Sequence, residues 1–323
     1  MLASTGLAAA ERTLLNVSYD VTREFYTDFN VLFAADWRTK TGDTVVISQS
    51  HGGSSKQARA VIDGLRADVV TMNQALDIDA IAERAKLLPT NWAERLPHGS
   101  APTTSVIVFL VRPGNPKRIA DWSDLIRPDV RPIIPNPKTS GNGRYSYLAA
   151  WAWAARQAGT GKESEQAKAR AFVTRLFRQV PVLDTGGRGA TTTFIQRGIG
   201  DVLLTFESEI GLIRRENGEA SIDVVRPSLT ILAENPVAVV DRAADRNGNT
   251  DLAKAYLEFL YTPAAQELAA KHGLRPRDPD VLARQRERFP AVATVTVSEL
   301  GGWSSVFKTH FAEGGIFDQL SER

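Results

Sequence analysis

Four short segments hold the residue types that could do chemistry: NVSYD at 16–20, SHGGSS at 50–55, KTSGNG at 138–143 and TGGRGATTT at 185–193. The last three share one design, in which a strand-like run leads into glycine and hydroxyl residues and then into a helical pattern. NVSYD is a plainer case. The first turn of a helix leaves backbone N–H groups without partners and carries the positive end of the helix dipole. Glycine lets a ligand approach the backbone closely, and serine or threonine adds a short donor. Several such turns aimed at one point make an anion site without any cationic side chain. One loop of this kind is usually only a helix cap, but three or four form a pattern. In open α/β sheets ligands gather at the carboxyl ends of the strands, where all of these loops lie.

Other chemistries fit the same residues less well. A Walker A loop needs GxxxxGK[ST], and SHGGSSKQ lacks the second glycine at its place. The nucleophile elbow GxSxG is absent. A Ser-Lys pair from Ser54 or Ser55 with Lys56 resembles the Gly-Gly-Ser-Ser run of amidases, without a further serine-rich partner segment. A hydrolase of sulfate or phosphate esters is the rival reading. It requires a general base or metal ligand among the loops, and they offer His51 alone. The chain has no cysteine, which excludes disulfides, thiol catalysis and cysteine-based metal sites. Its four histidines, at 51, 98, 272 and 310, share no ligand spacing, so neither a metal nor a cofactor is expected.

The elements that must position these loops alternate from the start. TLLNVSY (13–19) reads as a strand, and Asp20 stands where a helix N-cap belongs. Phe25, Phe29, Leu32, Phe33 and Trp37 follow at helical spacing until Thr41-Gly42. DTVVISQ (43–49) and ADVVTM (67–72) are further strands, each followed by a helical pattern, the second around 79–87. Such βα units build a mostly parallel sheet. At 100–112 a β-branched run, SAPTTSVIVFLVR, has no helix directly after it. A second block follows, from PIIPNP (132–137) through VPVLD (180–184) to DVLLTFE (201–207). TILAENPVAVVD (230–241) is another long strand without a local helix, ahead of two helices around 251–271. The pattern predicts an α/β protein whose chain crosses from one lobe to another and back. Lobe I takes 11–105 plus 235–323, and lobe II takes 106–234.

Composition agrees with that plan. The chain has 323 residues, 43% of them hydrophobic, enough for two domains. Its 39 basic and 37 acidic residues leave a formal charge of only +2. The basic clusters at Arg214-Arg215 and from Lys168 to Arg178 read as solvated helix faces, so a nucleic-acid partner is not expected. MLASTGLAAA (1–10) reads as the tail of a secretory signal, implying export. No later segment is apolar enough to span a membrane.

LLNVSYD, QSHGGSSKQA, PNPKTSGNGRYSYLAAW, DTGGRGATTTF, RGIGDVLLTFESE and HFAEGGIFDQL together closely resemble the periplasmic sulfate- and thiosulfate-binding proteins of ABC importers. The resemblance runs from about 13 to 320. It implies a type II periplasmic binding fold, in which two α/β lobes joined by crossover strands close on a desolvated tetrahedral oxyanion. It further implies a monomer that delivers sulfate or thiosulfate to a membrane permease driven by an ATPase, and that catalyses nothing. Carried over by position, the anion donors are the main-chain N–H of Asp20, Ser54, Ser140, the N–H groups of Gly141 and Asn142, and the N–H of Gly187. Asp20 acts through its amide, its carboxylate capping the helix that follows it and turned from the ligand. Arg144 and Arg188 sit beside the site and are expected to brace loops, with Arg188 also lining the pocket.

Two positions depart from the sulfate-binding pattern. Asn142 replaces a glycine, its side-chain amide free to reach the ligand, and Phe206 replaces a tryptophan whose indole N–H reaches the anion. With TMNQ (71–74), TSGN and FESE, they resemble the thiosulfate-binding branch. Both anions are fully ionised at neutral pH and only accept hydrogen bonds, so a site made of donors suits them. Protonated phosphate would set its own hydrogen against those donors, at about 1–3 kcal/mol.

Overall fold

The computed structural model of the chain describes residues 11–157 and 162–321. The expected signal tail at 1–10 lies outside the described residues. The first lobe is built on a four-stranded sheet in the order β2-β1-β3-β9, formed by Glu11–Tyr19 (β1), Thr44–Gly52 (β2), Val69–Thr71 (β3) and Val237–Val239 (β9). β1 runs parallel to β2 and to β3, with Tyr19 opposite Gly52 and Ser18 opposite Thr71. That register brings the carboxyl ends of three strands to one edge, so the chain leaves the sheet at 20, 53 and 72 side by side.

After β1 a single 3₁₀ turn, Asp20–Thr22, leads into the helix Arg23–Thr41. The helix buries Phe25, Phe29, Phe33 and Trp37 of the face read from spacing, and Tyr26 in addition, while Leu32 is half-buried. Gly42 ends it in the left-handed region (φ 83°), where its N–H bonds the Arg38 carbonyl. Phe29 meets Tyr256 edge-on at 5.0 Å, an arrangement that adds about 0.5–1.5 kcal/mol to simple burial. The aromatic stack thereby fixes the helix under the 20–22 turn.

The second lobe contains Thr103–Val111 (β4), Pro132–Ile133 (β5), Val202–Phe206 (β6), Asp223–Val225 (β7) and Thr230–Asn235 (β8). Arg275–Pro276 (β10) and Thr294–Val295 (β11) complete a sheet whose main path is β11-β8-β4-β6-β5. β4 is buried along its whole length. Its first half pairs with β8, Thr103 opposite Asn235 and Val106 opposite Leu232, while its second half pairs with β6. The two crossover strands are therefore bonded to each other. The long strand read over 230–241 is interrupted at Pro236, which has no N–H to give a ladder. Beyond it β9 joins the first sheet, antiparallel to β3.

VPVLD forms no strand, and PIIPNP gives only the two residues of β5. Prolines 135, 137 and 181 remove donors there, and the Asn136 N–H to Asp184 carbonyl bond (2.8 Å) ties the two segments together. The helix expected around 79–87 begins earlier, at Ala75, and its last turn widens over Ile81–Ala85.

The C-terminal boundary needs correction. The sequence pattern places 235–323 in lobe I, but β11 pairs with β8 in parallel, Thr294 opposite Thr230. Val295, Val297, Val306, Phe311, Phe317 and Leu320 share a core with Phe109, Tyr147 and Leu148 of the second lobe. Lys138 Nζ donates to the Phe311 carbonyl at 2.9 Å and pairs with Asp318. An amphipathic segment is required to bury its apolar face, and its sequence does not say against which lobe. Burying each large apolar side chain contributes about 1.5–3 kcal/mol, so this segment belongs with lobe II.

Candidate functional site

Where the two lobes face each other, four helix starts and the end of β3 meet. Ser54–Ile62 begins after Gly53, Gly141–Arg156 after Ser140, and Gly187–Ile195 after Gly186, while the 3₁₀ turn begins at Asp20. The first-turn N–H groups of Ser54, Gly141, Asn142 and Gly187 have no partner within their helices.

Several glycines are required here by close approach. A Cβ on Gly53 would stand 3.0 Å from the Thr139 carbonyl and 3.1 Å from that of Thr185, both across the cleft. One on Gly186 would meet Asp20 Oδ2 at 2.6 Å, and one on Gly141 would meet Asn73 Oδ1 at 2.0 Å. One on Gly187 would be 3.1 Å from Asn142 Nδ2 and 3.3 Å from Val21. The structure thus brings the sequence-derived residues Asp20, Ser140, Gly141, Asn142 and Gly187 together, with the lobes closed. Ser54 is buried, and its hydroxyl finds only the Met72 sulfur at 3.6 Å, a weak acceptor that leaves the O–H available.

Side-chain roles follow from the bonds made. Ser140 Oγ caps its helix by accepting the Gly143 N–H at 3.4 Å, and its own O–H remains to donate. Asp20 Oδ2 accepts the Arg188 N–H at 3.2 Å, so the carboxylate caps the Gly187–Ile195 helix of the opposite lobe and not the helix that follows it. Burial raises the Asp20 carboxyl above its ordinary value, against the pull of Arg188. The Asn142 amide, expected free to reach the ligand, instead donates to Thr205 Oγ1 at 2.9 Å and accepts from Ser146 at 3.3 Å. Thr205 was invisible in the sequence because strand and helix meet only in the fold. Phe206 is buried, edge-on to Tyr19 (6.4 Å) and Tyr145 (5.9 Å).

Both arginines are engaged with carboxylates or hydroxyls. Arg188 pairs with Glu24 of the first lobe at 3.1 Å and with Glu209 of its own lobe at 3.5 Å. Burial pushes the Glu209 carboxyl up to about 7, against Arg188 and the Thr191 hydroxyl. Arg144 crosses to the first lobe, donating to Ser55 Oγ at 2.8 Å and lying 3.8 Å from Asp77. Gln74 braces Asp77 at 2.7 Å. Glu24 and Asp77 lie outside every motif, and SHGGSS and FESE hold Ser55 and Glu209 without showing these bonds, since each acts on a partner distant in the chain.

The residues of the rival chemistries are occupied otherwise. His51 sits between the Tyr19 carbonyl (3.0 Å) and Gln49 Oε1 (2.7 Å), and burial lowers its pKa. Ser55 Oγ donates to Asp77 at 2.8 Å, while Lys56 is exposed. A cavity of about 820 Å³ lies between the lobes and is lined by Gly53, Lys56, Arg59, Lys138, Arg144 and Gly186. Ser54, Ser140, Gly141, Asn142 and Gly187 lie outside its lining. A volume of that size suits a solvent-filled entrance, and a single tetrahedral anion needs the tighter space between the helix starts.

Comparison with known proteins gives matches along nearly the whole chain. Residues 24–275 match the family described as bacterial extracellular solute-binding protein. A thiosulfate-binding protein of Pseudomonas aeruginosa is 53% identical, over 99% of this chain and 95% of that protein. A sulfate-binding protein of Salmonella typhimurium is 52% identical, over 100% of this chain and 97% of its own length. Among solved structures, the sulfate-binding protein SubI from Mycobacterium tuberculosis H37Rv superposes with a TM-score of 0.83 at 33% identity, covering 93% of this chain and 99% of that one.

Proposed function

This chain belongs to the bacterial extracellular solute-binding proteins, and from that premise we propose that it is the binding component of an importer for sulfate or thiosulfate. The observation that carries the reading is the meeting of helix N-termini from both lobes in a space whose two flanking arginines, Arg144 and Arg188, already have carboxylate partners. A fully ionised dianion takes N–H from Asp20, Gly141, Asn142 and Gly187, and O–H from Ser54 and Ser140. Charge-assisted bonds of this kind are about twice as strong as neutral ones, and together they offset dehydration of the anion. Selectivity comes from main-chain N–H groups, which donate only and offer nothing to the hydrogen of a protonated anion. The sulfate- and thiosulfate-binding relatives support this reading over a hydrolase of sulfate or phosphate esters.

The two lobes move about β4 and β8, near Ser105–Val106 and Glu234–Pro236, with 294–321 travelling with the second lobe. Closure excludes water, and release occurs at a membrane permease driven by an ATPase. The protein works in the periplasm as a monomer. Calorimetric titration with sulfate, thiosulfate, molybdate and phosphate tests the reading. Expected is 1:1 binding of sulfate or thiosulfate, with phosphate weaker by about tenfold to a hundredfold, the scale of one unmatched buried contact. Absence of binding by both sulfur oxyanions, or preference for phosphate, contradicts it.

A further inference from the structure

Asn73 stands immediately beyond β3, at the carboxyl end of that strand, in the TMNQ segment. It is 3% exposed, and its Oδ1 is buried without a hydrogen-bond partner among the described residues. The carboxamide lies directly over Gly141, its three end atoms 2.0–2.8 Å from where a Cβ would be. Leaving such a group unsatisfied costs about the full desolvation of an amide; its neighbour Gln74 has a lone Oε1 as well, but its Nε2 donates to Asp77 and Ser55, whereas no bond among the described residues holds the Asn73 amide in one orientation. Asn73 is therefore a polar side chain of the first lobe, buried and unpaired, set against the start of the Gly141–Arg156 helix.

We infer that Asn73 is a further ligand-contacting residue, whose carboxamide donates Nδ2–H to the bound dianion from the first lobe. The inference rests on the anion site proposed above. An amide presents oxygen and nitrogen at nearly equivalent positions, so a half-turn about its last torsion exchanges an acceptor for a donor without moving its neighbours. Toward helix N-termini alone, the oxygen is the favoured end. Facing a dianion, the nitrogen is. Asn73 adds a neutral donor that does not titrate, and because Gly141 lies across the cleft, the contact forms only when the lobes close.

Asn73→Leu keeps the volume over Gly141 and removes the donor, and Asn73→Asp introduces a titratable acceptor. Binding of sulfate and thiosulfate by wild type and both variants is to be measured by calorimetry from pH 5 to pH 8, with unliganded melting curves as a control on folding. Expected is at least a fivefold loss for Asn73→Leu. For Asn73→Asp the loss should be a hundredfold or more at pH 8, diminishing toward pH 5 as the carboxyl takes up a proton and becomes a donor. Wild-type affinity in Asn73→Leu, or a pH-independent loss in Asn73→Asp, overturns the inference while leaving the anion site intact. A wild type that binds neither anion overturns both.

Discussion

Arg144 is the side chain whose replacement most directly probes closure. Its guanidinium leaves the second lobe, is 4% exposed, and makes one short cross-cleft bond, to Ser55 Oγ at 2.8 Å, with Asp77 further off at 3.8 Å. The bond to the Lys138 carbonyl (3.3 Å) stays within one lobe and survives opening. A hydrogen bond to a charged group contributes about 1.5–3 kcal/mol, and rehydration of the arginine in the open form offsets part of that. Taking about 1.4 kcal/mol as the net contribution to closure, Arg144→Met should weaken sulfate and thiosulfate binding by about tenfold. Methionine retains an apolar stem against Phe307 and Phe311, which flank the guanidinium at 5.6 and 5.8 Å. Arg144→Lys keeps the charge but not the planar fork, so it should lose most of the same affinity. A double-mutant cycle with Ser55→Ala should return a coupling of about 1 kcal/mol. If Arg144→Lys binds like wild type, the arginine acts by long-range attraction and not as a bridge. If Arg144→Met also binds like wild type, the cross-cleft bond is irrelevant to binding.

Three other outcomes are expected. Gly53→Ala places a methyl group 3.0 and 3.1 Å from two carbonyls of the facing lobe; overpacking costs about 1–3 kcal/mol, so calorimetry should show about tenfold weaker binding while the unliganded melting temperature is unchanged. Phe206→Trp restores an indole N–H where the sulfate binders have one and should shift preference toward sulfate over thiosulfate by about 1 kcal/mol or more; an unchanged ratio removes Phe206 from the site. Glu209 titrates near 7 in the fold against an ordinary 4.5, so the folded state holds its proton more tightly than the unfolded chain. The stability this provides is full below about 4.5 and lost as pH rises through 7, some 3 kcal/mol in all. Glu209→Gln should therefore gain on wild type in thermal melts between pH 5 and pH 8, and a constant difference contradicts the assignment.

Much of the site was legible because it is made of backbone. Glycine and hydroxyl residues at strand ends betray helix starts from sequence alone, and SHGGSS, KTSGNG and TGGRG all became such starts. What stayed hidden depends on side chains meeting across the fold. The Asn142 amide is taken up by Thr205, 63 positions away, and Arg144 by Ser55, 89 positions away. Neither spacing leaves a local pattern. The C-terminal segment was misplaced for a related reason: the apolar residues of HFAEGGIFDQL specify a buried face without specifying which lobe buries it. VPVLD had the hydrophobicity of a strand but lacked the neighbouring donors that a ladder needs.

A crystal structure grown with thiosulfate or sulfate, the anion located by its anomalous sulfur signal, tests the central claim most directly. The expected position lies between the starts of the Ser54, Gly141 and Gly187 helices, with the N–H groups of Asp20, Gly141, Asn142 and Gly187 within about 3.2 Å of its atoms and Arg188 still paired to Glu24. An anion held instead by Arg188, or by Lys56 and Arg59 in the larger cavity between the lobes, would contradict a site built from helix N-termini.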